Sequence, residues 1–260
     1  MPVNPASPDA TVVMIPARLG SSRLPNKPLA EIAGVPMIVQ VWRRAREADV
    51  GPVVVACGEA AIADAVRGHG GEAVLTDPAL PSGTDRISAA LRSLDPARRF
   101  TRVVNLQGDL PTLAPEAMRA ALRPLDELDV EIGTLVAATE DPEEKSDPNV
   151  VKAVIAFDPK RPGLGRALYF TRACAPAGDG PVWHHIGIYT YRRRTLERLA
   201  SMPPSPLERR ERLEQLRALE AGIGIGVATV EVVPLGVDTA ADLDRARALL
   251  ETPERPGGRP

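Results

Sequence analysis

Short, β-branched apolar runs recur along the chain at residues 11–15, 53–56, 73–75, 103–106, 132–137 and 151–157. Between several of them the apolar positions follow the helical period instead, over residues 37–48, 59–67, 84–94 and 115–125. Strands alternating with helices predict an α/β fold, a mainly parallel sheet with helices on both faces. Val53-Val54-Val55 and Val103-Val104 are apolar without alternation, as strands buried on both sides must be.

The second half is less regular. Residues 159–165 and 176–181 are turn-rich, while 207–221 has the pattern of one long helix. That helix follows Ser205-Pro206, a favourable cap and first-turn pair, and carries Leu207, Leu213, Leu216 and Leu219 mostly on one stripe. A last strand over 227–233 leads through Pro234-Leu235-Gly236 to Asp238 and a final helix over 240–250. The pattern predicts a flexible start (1–10), a single domain (11–251) and a frayed Pro/Gly/Arg tail (252–260).

Composition narrows the function classes. The 260 residues carry 32 Lys plus Arg against 34 Asp plus Glu, a balance that argues against bulk binding to nucleic acid or an acidic membrane. An anionic ligand must therefore be held by a local cluster. The two cysteines, Cys57 and Cys174, are far apart and in no metal-binding spacing, which fits a reducing compartment, and Cys57 reads as a small buried residue. The first ten residues lack the pattern of a signal peptide, and no apolar run approaches the ~20 residues that span a bilayer. A soluble, cytoplasmic protein is expected.

Such a cluster follows the first strand, where Arg18, Arg23 and Lys27 share a loop with Gly20, Ser21 and Ser22. Open α/β sheets place ligands at the C-terminal ends of their strands, and small loop residues with Arg and Lys can cradle phosphate oxygens. The spacing is neither a Walker A loop nor a Gly-x-Gly-x-x-Gly fingerprint, and a solvated basic loop is the alternative. Ser82-Gly83-Thr84-Asp85-Arg86 offers hydroxyl and backbone groups to a base edge, although Ser82 or Thr84 could simply cap the next helix. Asp109 in Asn105-Leu106-Gln107-Gly108-Asp109-Leu110-Pro111 and Asp238 in Gly236-Val237-Asp238-Thr239 each follow a strand. Two carboxylates suffice for Mg²⁺, which completes its shell with phosphate and water oxygens. A turn role for Asp109 and a helix cap for Asp238 are the structural alternatives.

Pro-Ala-Arg-x-x-Ser-x-Arg-Leu-Pro-x-Lys-Pro-Leu, starting at Pro16, resembles the signature of the CMP-Kdo synthetase family of sugar-activating cytidylyltransferases. The likeness continues through Ser82–Arg86, Gln-Gly-Asp-x-Pro at Gln107, His-Ile-Gly-Ile-Tyr at His185, Leu-Glu-Gln-Leu-Arg at Leu213 and Gly-Val-Asp-Thr at Gly236, nearly the whole chain. It implies a Rossmann-like fold of the nucleotide-diphospho-sugar transferase type with a small dimerisation and acceptor insertion, sought in residues 176–191. It implies that Arg18, Arg23 and Lys27 engage the triphosphate of CTP, with Ser82, Gly83 and Arg86 as further nucleotide contacts. By the same likeness, Asp109 and Asp238 hold Mg²⁺, and Arg18, Lys27 and Asp109 form the catalytic set. Gln107, His185, Tyr189, Glu214 and Gln215 fall on the acceptor sugar.

The reaction implied is CMP transfer from CTP to 3-deoxy-D-manno-octulosonate (Kdo), for lipopolysaccharide synthesis, by a homodimer with no nucleic-acid or membrane partner. Another acidic sugar, 8-amino-Kdo or an acylneuraminate, and a non-catalytic CTP-binding regulator are the alternatives. The chain departs from the family pattern at Asn26, Leu110, His184 and Cys57-Gly58.

Overall fold

The computed structural model describes residues 10–20 and 23–251, so the expected flexible start, save Ala10, and the expected tail lie outside the described residues. The chain opens with β1 (Thr11–Ala17), a 3-10 turn at Lys27–Leu29, and the hairpin β2 (Glu31–Ile32) and β3 (Val35–Pro36). Then come α1 (Met37–Glu47), β4 (Val53–Cys57), α2 (Ala60–Gly68), β5 (Glu72–Leu75), α3 (Gly83–Leu94), β6 (Arg102–Asn105) and α4 (Pro115–Glu127). The second half holds β7 (Ile132–Thr139), α5 (Pro142–Ser146), β8 (Lys152–Phe157), β9 (Leu164–Thr171), β10 (Val182–Arg192) and α6 (Arg193–Ser201). It closes with α7 (Pro206–Glu211), α8 (Gln215–Glu220), β11 (Ile225–Thr229) and α9 (Ala240–Glu251).

Nine strands form one mixed sheet in the order β5-β4-β1-β6-β10-β7-β11-β9-β8. The first four are mutually parallel, β7 and β11 are parallel to each other, and β10 runs antiparallel to both its main neighbours, β6 and β7. Because successive side chains of a strand point to opposite faces, β1 feeds two cores. Val13 and Ile15 join Val39, Trp42 and Ile62 on one side, whereas Val12 and Met14 join Ile87, Leu91 and Leu216 on the other. All four β1 residues are completely buried, which accounts for the unbroken apolar run in the sequence.

Residues 182–191, expected within a dimer-forming insertion, form most of a central strand of the sheet. Its polar residues hide it from a hydrophobicity pattern, yet Thr190 and the neighbouring Thr134 find specific partners. Thr190 donates to the Ala121 carbonyl at 2.7 Å, and Thr134 on β7 donates to Ile188 at 2.8 Å. Hydrogen-bonded polar groups of this kind can be buried without a large penalty. A bulge between Ile186 and Tyr189 shifts the register against β7. The turn-rich stretch 159–165 gives way to β9 at Leu164, and the last strand is Ile225–Thr229 rather than 227–233.

The single helix expected over 207–221 is two short ones. Ser205 caps α7 in a capping box with Glu208, and Arg212 adopts a left-handed conformation (φ 56°) that ends it. The break lets Glu208 receive Arg217 in a two-pronged ion pair of 2.5 and 2.7 Å across the turn. Pairing a buried guanidinium outweighs a continuous helical ladder through residues 212–214.

A second buried pair joins α3 to α6. Asp95, fully buried after α3, accepts from Arg193 Nη1 at 2.7 Å, Arg99 Nε at 3.2 Å and the Phe100 amide at 2.9 Å. Burial opposes its charge, but these hydrogen bonds outweigh it and hold the carboxyl below its ordinary range. Arg193→Met leaves Asp95 with the Arg99 side chain and the backbone amides of Arg99 and Phe100, and the expected loss in a urea titration is about 3 kcal/mol. A midpoint within error of the wild type would mean that Arg99 alone suffices.

Candidate active site

β1 lies between β4 and β6; it ends at Ala17 beside Cys57 of β4, and β6 ends at Asn105, opposite Met14. The chain leaves β1 and β6 into loops that open a cleft of about 390 Å³, completed by residues 80–83 before and at the start of α3 and by Asp238. Arg18, Arg23, Lys27, Ser82, Gly83, Arg86, Gln107, Asp109 and Asp238 all line it. Nine of the residues read from sequence thus meet in one crevice, at the place where open α/β sheets bind ligands.

At its floor one ammonium faces two carboxylates. Lys27 Nζ donates to Asp109 Oδ2 at 2.8 Å and to Asp238 Oδ1 at 3.0 Å, while Arg23 reaches Asp238 Oδ2 at 3.1 Å. Lys27 starts the 3-10 turn, preceded by Asn26 in the left-handed region (φ 55°), which asparagine tolerates. Burial disfavours the Lys27 charge, but Asp109 and then Asp238 outweigh it and raise its pKa above the ordinary lysine value. The Val237 amide donates to the Asp109 carbonyl at 2.9 Å and so fixes the two acidic loops together.

Asp238 is not the cap of α9. Thr239 and Asp242 bond each other's backbone amides at 3.2 and 2.9 Å, and Asp242 also receives the Asp238 amide, leaving the Asp238 carboxylate to the cleft. Among the described residues no three His, Cys, Asp or Glu side chains gather as a metal cluster. Two converging carboxylates with open space above them suit a hard cation that takes its remaining oxygens from phosphate and water, so the donor set fits Mg²⁺.

Ser82 caps α3, accepting from the Asp85 amide at 3.1 Å and donating to its carboxylate at 2.7 Å. Capping and cleft lining coexist here, because the hydroxyl lies at the helix N-terminus, where partial positive charge favours anions. Arg86 is only 2% exposed and donates to Thr76 Oγ1 at 2.6 Å and to the Asp77 and Pro78 carbonyls, so it braces the loop before the cap. A side chain on Gly58 would stand 3.1 Å from that guanidinium and 3.2 Å from Pro78 Cα. The departure at Gly58 therefore makes room for Arg86, and the neighbouring Glu59 accepts the Leu19 amide of the basic loop at 3.2 Å. Burial pushes the Cys57 thiol up to about 11, which makes it inert, and Leu110 belongs to the core beside Asp109.

The residues read as acceptor contacts fall in three places. Gln107 lines the cleft, whereas Tyr189, Glu214 and Gln215 surround a separate small cavity together with Thr84, Tyr191 and Arg217. His185 is buried away from the cleft, its ring 4.8 Å from Phe170 and 5.4 Å from Tyr189. Its Nε2 is 3.0 Å from Thr134 Oγ1, so a proton on Nε2 is shared with Thr134, which passes its own to Ile188. Lys152 and Arg172 brace each other's segments through the Asp147, Pro148 and Arg172 carbonyls. Sequence reasoning missed Asn105, Tyr191 and Arg217 and weighed Thr84 only as an alternative to Ser82 for the cap. Only the Arg that closes Leu-Glu-Gln-Leu-Arg offered a signal.

A crevice at the strand ends, walled by cations and a helix N-terminus and floored by two carboxylates, defines a mixed α/β protein of the nucleotidyltransferase type. A family model described as cytidylyltransferase matches residues 12–225. A 3-deoxy-manno-octulosonate cytidylyltransferase of Rhodospirillum centenum is 60% identical over 255 residues, 98% of each chain. One from Parvibaculum lavamentivorans is 61% identical over 239 residues, 92% of each. The solved structure of a CMP:2-keto-3-deoxy-manno-octonic acid synthetase complexed with CTP superposes with a TM-score of 0.84 at 37% identity, covering 94% of this chain and 99% of that one. The chain belongs to the cytidylyltransferase family, with the 3-deoxy-manno-octulosonate cytidylyltransferases, also called CMP-Kdo synthetases.

Burial holds His185 down to about 3, far below the ordinary histidine value of 6.5, so the ring stays neutral in the folded protein. Its NMR shifts should be flat between about pH 5 and pH 9. Because the unfolded chain takes up this proton near 6.5 and the folded one only near 3, His185 removes stability progressively as pH falls through that interval. A titration midpoint near 6.5 in the folded protein would show the ring to be open to solvent.

Proposed function

We propose that the protein transfers CMP from CTP to Kdo, releasing pyrophosphate. The observation that carries this reading is the meeting of Lys27 with Asp109 and Asp238 at the floor of a cationic cleft. The close relatives named for this reaction, similar over almost their whole length, support the choice of nucleotide and sugar.

The cleft's cations are placed for a triphosphate. Arg18, Arg23 and Lys27, all lining the cleft, hold its phosphates, and the raised pKa of Lys27 keeps that side chain charged at neutral pH. Ser82 and Gly83 at the start of α3 take the nucleoside, with Arg86 fixing their loop. Gln107 presents the acceptor, whose anomeric oxygen bonds to the α-phosphorus as the bond from that phosphorus to the bridging oxygen breaks. The hydroxyl proton passes to solvent, and pyrophosphate leaves with both electrons of the broken bond. Asp109 and Asp238 would hold Mg²⁺, which neutralises phosphate charge and lowers the pKa of the attacking hydroxyl. Holding the reactants in line and offsetting charge account for the rate without a dedicated protein base.

The test is magnesium-dependent pyrophosphate release from CTP with Kdo, 8-amino-Kdo and N-acetylneuraminate side by side. Release is expected with Kdo, and Asp109→Ala should lower it roughly a hundredfold or more. Release only with another sugar would move the acceptor; CTP binding without release from any would make the protein a CTP-binding regulator. Lys27→Ala should lower kcat roughly a hundredfold, as loss of a donor to developing charge does, while the preference for CTP over UTP is kept. Equal losses in turnover and base preference would remove Lys27 from the phosphate role.

A further inference from the structure

Thr84 sits in the motif read as nucleotide-binding, yet its hydroxyl turns the other way. It is the second residue of α3 and 3% exposed, and Ser82 already performs the cap. Thr84 Oγ1 donates to Glu214 Oε2 at 2.6 Å, across 130 residues of sequence. Tyr191 lines the same small cavity as Thr84 and its phenol lies beside Thr84 and Asn105, and Asn105 Oδ1 accepts from Gln107 Nε2 at 3.4 Å. Neighbouring polar side chains thus run from Gln107 in the cleft past Asn105, Tyr191 and Thr84 to Glu214.

The other oxygen of Glu214 has no hydrogen-bond partner although it is buried, and Arg217 Nη2 stands 3.8 Å from it. A buried carboxylate oxygen left without a donor is costly, so it marks a place where a donor belongs. We propose that Thr84 is a positioning residue for the acceptor: it holds one Glu214 oxygen so that the other stays free for a hydroxyl of the bound sugar. The inference rests on the reading above, in which Gln107, Glu214 and Gln215 serve the acceptor. Without the Thr84 hydroxyl, Glu214 is free to turn to Arg217, and its free oxygen is lost to the ligand. Ser82 and Gly83 keep their geometry, since the cap does not involve Thr84.

Steady-state pyrophosphate release separates the two substrates. Thr84→Val keeps the buried volume and removes the hydroxyl; Thr84→Ser keeps the hydroxyl. For Thr84→Val the KM for the acceptor should rise roughly tenfold or more, the loss of one hydrogen bond to a charged group, while the KM for CTP stays within about twofold. Thr84→Ser should restore the acceptor KM to within about threefold of wild type. Tyr191→Phe removes the phenol hydroxyl beside Thr84 without touching α3 and should raise the same KM, which keeps the test open if Thr84→Val fails to fold. An unchanged acceptor KM in the folded variants, an equal rise for CTP, or a serine variant as impaired as the valine one overturns the proposal. The wild-type assay sets the acceptor: if another acidic sugar turns over, the variants are measured with that sugar. No turnover of any acceptor by the wild type overturns the reading and the proposal together, whereas a working wild type with an unmoved Thr84→Val overturns the proposal alone.

Discussion

Lys27 meets two carboxylates that the chain delivers from positions 109 and 238, and the cleft depends on that meeting. Two negative charges converging at the bottom of a crevice repel unless a cation lies between them. The ammonium supplies it, and the 3-10 turn that carries Lys27, the loop after β6 and the segment leading into α9 are thereby drawn to one point. Arg23 adds a second, more exposed contact to Asp238, and the amide of Val237 joins the two acidic loops through backbone. The same two carboxylates that hold the lysine suit a hard divalent cation, so the interaction that shapes the floor also defines what it can hold.

The antiparallel strand β10 is the second organising feature. Set between β6 and β7, it carries Tyr189 and Tyr191 to the small cavity they share with Glu214 and keeps His185 in the interior. Burial raises both tyrosines above the ordinary phenol value, with the Glu214 charge adding to the effect, so both remain protonated donors. Glu208, Arg217 and Glu214 then form a ladder of alternating charge from α7 toward the start of α3. The start of α3 and the segment around Glu214 are therefore connected through side chains rather than through a shared loop.

The basic loop, the Ser82–Arg86 stretch and the two aspartates were legible in the sequence because their chemistry is local in kind: cations, small residues and carboxylates at strand ends. The first four parallel strands and their helices were equally legible, since strands covered on both faces leave unbroken apolar runs. Less could be read where polar residues are buried. In β10 two histidines, two tyrosines and Thr190 mask the period of two, and the partners of His185 and Thr190, Thr134 and Ala121, lie about 50 to 70 positions away. The left-handed Arg212 that splits 207–221 into two helices depends on the Glu208–Arg217 pair, which forms only once both ends are buried.

Sequence alone determined the α/β class and the set of charged groups available to a nucleotide, because burial and charge leave their marks residue by residue. Tertiary structure decided which of those groups face one another. It set Asp238 on the cleft rather than on the α9 cap, Arg86 under a loop, His185 out of reach of the cleft and Thr84 toward Glu214. The physical reason is that a hydrogen bond or ion pair between distant residues has no local signature: its strength depends on distance and dielectric at the contact, and both are fixed only when the sheet is assembled.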